Sequence, residues 1–223
     1  MKEYRQKEMK CLVVAYSLLL LLLCTKVFDE VDITQISKYE KVFSVFEGIT
    51  VSSILYMLVL IGDMVISANH KDKLIGLFFI PRAGCTVFSR IKNNKISDMR
   101  FDNTDAIKKY KSIINDIPSK KFMRHKFENA KWYSIYKKNA EEPSIIQTQM
   151  DYLMCRDLNI ETFEYLIVYF VCVVIFSDYI HWSWKFFLFL LFMLVVTNLS
   201  THNKMNRFVN TVIAVDLSIG KGE

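Results

Sequence analysis

Glycine and proline are scarce in this chain, 6 and 3 of 223 residues, while 52% of the residues are hydrophobic and 14% aromatic. That balance excludes a disordered chain and is unlike an ordinary soluble domain. Catalytic signatures are missing as well: there is no Walker-type loop, no GxGxxG, no HExxH and no GxSxG. The four histidines, His70, His125, His181 and His202, are widely scattered. The five cysteines form no CxxC pair and no disulfide framework. Glu141–Glu142 beside Pro143 reads as a solvated helix end. An enzyme is not expected, and neither is a metal or other cofactor.

What the chain has in quantity is apolar sequence. Three blocks stand out: Cys11–Cys24 (CLVVAYSLLLLLLC), Ile49–Ser67, and a long stretch from about Phe163 to Leu199 interrupted near Asp178–Lys185. A bilayer core about 30 Å thick needs roughly 20 helical residues, so the last block is long enough for two spans. The reading is an all-α membrane protein with four transmembrane helices, at about 10–28, 49–68, 162–179 and 182–199. Lys185 can snorkel at the start of the fourth, where Trp182 and Trp184 supply an aromatic belt. The basic start and leucine core of the first span also suit a signal peptide, but no small-x-small cleavage site follows.

Lysine and arginine set the orientation. Lys2, Arg5, Lys7 and Lys10 precede the first span, whereas the loop from Lys26 to Glu47 holds three lysines against Asp29, Glu30, Asp32, Glu40 and Glu47. Residues 69–161 carry eighteen Lys/Arg against eleven Asp/Glu. The expected layout is therefore an N-terminal hairpin (1–68), a basic cytoplasmic domain (69–161), a C-terminal hairpin (162–199) and a cytoplasmic tail (200–223), with both termini inside.

The segment between the hairpins is too long for a loop and reads as a small, mainly helical domain. LIGLFFIPRAGCTVFSRI suits an interfacial stretch or a short strand pair. Asp102, Asn103 or Thr104 caps a helix through DAIKKYKSIINDI, with Ile107, Tyr110, Ile114 and Ile117 as its apolar stripe. A second helix covers about 123–140 and clusters Trp132, Ile135 and Tyr136. A third, about 144–157, sets Ile146, Met150, Leu153 and Met154 on one face, after which Asp157 or Asn159 caps the following span. The tail RFVNTVIAVDLSIG suits a strand or a packing helix.

Asp63 stands out because an ionisable group inside a span is costly and normally faces protein or water. Ser53, Tyr56, Leu60, Asp63 and Ser67 recur at three or four residues and share a helix stripe. Ser53, Tyr56, Asp63 and Ser67 are thus candidate pore-lining residues, and a ring of aspartates favours cations. Asp63 also lies near the cytoplasmic end, where interfacial water, Lys71 or Lys73 satisfies it. Four spans enclose little space alone, so a conduit implies a cyclic homo-oligomer.

The basic domain offers a second candidate site. Arg90 and Arg100 belong to one cluster; Lys120, Lys121, Arg124 and Lys126, near Trp132, belong to another. Cations with exposed rings suit a nucleotide or oligonucleotide, through phosphate neutralisation and base stacking. Anionic lipid headgroups suit the same surface, and positive-inside topology alone enriches lysine there.

Paired spans flanking a basic helical domain, together with the blocks IPRAGCTVFSRI, KWYSIYKK and YLMCRD, resemble small multi-spanning effectors of bacterial anti-phage systems. These include the four-span effectors encoded beside nucleotide-second-messenger synthases and the channel component of Hailong-type systems. The resemblance implies a channel-forming or membrane-disrupting protein of the bacterial inner membrane, controlled by a nucleotide or oligonucleotide from a partner nucleotidyltransferase. It assigns no residue a role. A different class also fits the chain: a non-conducting adaptor that recruits a cytosolic enzyme.

Overall fold

The computed structural model describes residues 2–24, 46, 50, 53–55, 57–59, 61, 62, 65, 66, 70, 71, 74, 83–177 and 180–219, with side chains from residue 7 onward. Among these residues every regular element is a helix: α1 (Lys2–Cys24), α2 (Val87–Lys92), α3 (Asn103–Lys109), α4 (Lys111–Asn115), α5 (Lys121–Lys138), α6 (Pro143–Ile175) and α7 (Trp184–Ile219). Residues 50, 53–55, 57–59, 61, 62 and 65 are helical too. Among the described residues two helices, α6 and α7, are long and apolar enough to cross a membrane.

The chain divides into two compact units, Met1–Lys71 with Arg156–Asn198, and Asp72–Cys155 with Leu199–Glu223. In the first, Val13, Tyr16, Leu20 and Cys24 of α1 form one buried cluster with Leu55, Val59, Tyr165, Tyr169, Cys172, Phe186 and Leu190. Its outer faces are apolar as well: Leu18 and Leu22, Ile54 and Met57, Phe170 and Val174, Leu188 and Phe192 are all exposed. A water-soluble domain does not present large apolar side chains from every helix that builds it.

In the second unit, Asp102 caps α3, its carboxylate accepting from the Thr104 amide at 3.1 Å and from Thr104 Oγ1 at 2.8 Å. The expected helix through 105–117 breaks at Tyr110, whose ring meets Phe88 of α2 edge-on at 5.4 Å and whose hydroxyl donates to Asp216 at 2.7 Å. IPRAGCTVFSRI contributes no strand among its described residues; Val87, Phe88 and Ile91 of α2 bury the apolar half of that stretch. Gly84 has φ +81°, and a Cβ there would stand 2.6 Å from the Trp132 ring, so glycine answers both backbone and space.

Two expected boundaries are corrected. The helix at 144–157 and the span at 162–179 are one helix, α6, with Pro143 in its first turn. Its buried face there is Ile145, Thr148, Tyr152 and Cys155, whereas Ile146 is exposed. Likewise the span at 182–199 and the tail are one helix, α7, ending at Ile219. Asp157 and Asn159 cap nothing, because tertiary contacts, rather than backbone amides, occupy their side chains.

Candidate functional site

The C-terminal part of α6, from Leu158 onward, is apolar and aromatic apart from Asn159, Glu161, Thr162 and Glu164, and Asp157 lies just before it. Steps of four and three residues place Asp157, Glu161 and Glu164 on one stripe of the helix, spread over about 10 Å at 1.5 Å per residue. All three are buried, with relative exposures of 0%, 2% and 8%. A carboxylate withdrawn from water persists only against compensating charge or hydrogen bonds. For Asp157 both are visible: Arg156 Nε lies 3.2 Å and Lys71 Nζ 3.9 Å from its Oδ1, and both cations are themselves buried. Glu164 lies against Gly62, where an added Cβ would stand 3.5 Å from its carboxyl carbon.

Hydroxyls continue the polar interior of this unit. Tyr16 and Thr162 hydroxyls lie 3.1 Å apart, Tyr165 donates to Ser17 at 3.2 Å, and the Ser183 amide donates to the Tyr169 hydroxyl at 2.9 Å. Asn159 Nδ2 donates to Leu194 O at 3.2 Å and to Thr197 Oγ1 at 2.9 Å, while its buried Oδ1 meets no hydrogen-bond donor among the described residues. These polar contacts lie beside the buried apolar cluster of the unit, while large apolar side chains also face outward. Among the described residues, no group of three or more His, Cys, Asp or Glu is arranged to hold a metal ion. The three carboxylates are spread along α6.

No family model, no curated protein and no solved structure matches this chain.

Of the expected pore-lining residues, Ser53 is helical and exposed, while Tyr56, Asp63 and Ser67 lie outside the described residues. The expected ligand residues divide. Lys120, Lys121 and Lys126 are exposed and Arg124 is half-buried at the start of α5. Arg90 is half-buried, donates to Asn206 Oδ1 at 2.7 Å, and has its pKa pushed down by burial. Arg100 clamps Asp98 through Nε at 2.9 Å and Nη2 at 2.7 Å, and donates from Nη1 to Thr211 at 2.8 Å. The hydrogen bonds with Asp98 raise the pKa of Arg100 and lower that of Asp98, despite partial burial of both groups. Arg90 and Arg100 are thus bound to α7 and its surroundings.

Trp132 is a correction. At 3% exposure it packs over Gly84, stacks on Tyr136 and donates to Val209 O at 3.4 Å, so it offers no face to a ligand.

The reading of the sequence missed Glu161 and Glu164. The signal was present in DLNIETFEYLIVYF: three acids at helical spacing leading into an apolar run. The rule that singled out Asp63 applies to them with equal force.

Proposed function

We propose that this chain is an ion-conducting membrane protein that works as a homo-oligomer, with Asp157, Glu161 and Glu164 as the charged element of a cation path. The single observation that carries this reading is the buried carboxylate stripe of α6, which leads into the apolar run from Tyr165 to Ile175. Carboxylates concentrate cations and exclude anions, and the Tyr16–Thr162 and Tyr165–Ser17 hydroxyl pairs extend the polar lining beyond them. Lys71 and Arg156 hold Asp157 in place and moderate the local charge. Asp63 follows Gly62 in the chain and joins the proposal through its sequence position.

The exposed cations of α5 supply the control input by binding an anionic ligand. Membrane permeabilisation in bacterial anti-phage defence is the setting, supported by the resemblance of the layout read from the sequence to the small effectors named above. Expression in bacteria carrying a potential-sensitive dye tests the reading. Wild-type protein is expected to depolarise the inner membrane, and the Glu161→Gln/Glu164→Gln variant to do so at least about tenfold less at equal membrane abundance. Equal depolarisation by both proteins, or none by either, would count against it.

A further inference from the structure

We propose that the outward face of α5 docks on an anionic bilayer surface. The inference shares with the proposed function the use of the α5 cations as an anion-binding surface and the chain's residence in a membrane. It does not require conduction.

The charge of α5 is one-sided. The helix carries Lys121, Arg124, Lys126, Lys131, Lys137 and Lys138, with Lys120 just before it, and a single carboxylate, Glu128. That carboxylate is fully buried and turned to α2, where it accepts from the Ser89 amide at 3.0 Å and from the Ser89 hydroxyl. No acid of α5 therefore opposes the outward positive field.

The location of the cations is costly to the helix itself. Lys120 occupies the N-cap position without a capping hydrogen bond, and the first turn holds no acidic residue. Cations at a helix N-terminus oppose the macrodipole, and a lysine cap leaves amide donors without an intrahelical acceptor. Helix stability alone would have placed Asp, Ser or Glu there. An external anion relieves both penalties.

The apolar residues at the same end favour a bilayer over a nucleic acid. Phe122 is 82% exposed and Met123 57%, set between Lys120–Lys121 and Arg124–Lys126. Of the rings on α5, Trp132 and Tyr136 are stacked on each other and pack against Phe208, and Tyr133 lies under the Lys137 ammonium, which leaves Phe122 as the exposed ring at this end. A thioether and a phenyl ring flanked by lysines are suited to insertion at the headgroup–acyl boundary, with the ammonium groups at lipid phosphates.

The test is hydrogen exchange by mass spectrometry on the full chain in nanodiscs of phosphatidylcholine alone or with 30% phosphatidylglycerol. Amides of residues 120–127 are expected to exchange about tenfold more slowly in the anionic discs, while those of α3 are unchanged. Lys120→Gln/Lys121→Gln/Arg124→Gln/Lys126→Gln should abolish the difference, and Phe122→Ser/Met123→Ser should reduce it. Equal exchange in the two lipids would overturn the proposal. So would protection in neutral discs by a single-stranded oligonucleotide or a soluble protein without any effect of anionic lipid. No current is measured, so a docking failure and a conduction failure remain separable.

Discussion

Lys71 and Asp157, far apart in the chain, form a buried ion pair, Nζ to Oδ1 3.9 Å, with Arg156 Nε on the same oxygen at 3.2 Å. Removing the carboxylate takes away an anion that pairs with both buried cations. Breaking a buried pair by deleting one member costs about 3–5 kcal/mol. Asp157→Asn should therefore lower the thermal midpoint in detergent markedly. The double variant Asp157→Leu/Lys71→Met should recover part of that loss; a double variant as unstable as the two single changes added together would contradict the pairing.

Gly84 and Trp132 yield a separate stability prediction. Gly84→Ala forces a side chain into a left-handed backbone conformation and onto the indole ring, 2.6 Å away. The left-handed strain alone costs about 1–3 kcal/mol. Trp132→Ala instead leaves a cavity at a cost of about 3–5 kcal/mol. Denaturant titration of the purified chain, followed by hydrogen exchange in α2 and α5, measures both. A Gly84→Ala protein as stable as wild type would show that the indole does not occupy this place.

Asp216 predicts an acid-side dependence of stability. Burial pushes its pKa up, but hydrogen bonds from Tyr110, Lys109 and Asn139 together with the Lys109 charge outweigh it, and the net shift is downward. A carboxyl depressed in the folded state contributes stability fully above its ordinary pKa of 3.8, and loses it as the pH falls through the lower folded value. Wild-type protein should accordingly lose more stability than Asp216→Asn between pH 5 and pH 2, with the two curves parallel above pH 5. Parallel curves throughout would mean that the Asp216 network contributes no linkage.

The helical domain was legible where local chemistry decides. The Asp102 cap of α3, the extent of α5 and the Trp132–Tyr136 pairing all follow from spacing and capping rules. The long helices were misdivided because Asp157 and Asn159 compete with the backbone in an isolated chain and so read as caps. In the fold Arg156 and Lys71 engage Asp157, and Leu194 O and Thr197 engage Asn159, so α6 has no reason to end. Trp132 looked available for stacking because its cover comes from Gly84 and Val209, which no helical period connects to it. Asp216 lay in a tail read as chemically empty; its roles in binding Lys109, Tyr110 and Asn139 exist only after α7 packs beside them.

Reversal potential across planar bilayers containing the purified protein, under a tenfold KCl gradient, measures cation conduction and its selectivity together. The carboxylate stripe predicts discrete cation-selective current steps for wild type, and for Glu164→Gln a reversal potential displaced toward zero with smaller unit current. Anion-selective current, or a Glu164→Gln protein identical to wild type in both current and selectivity, would contradict the account.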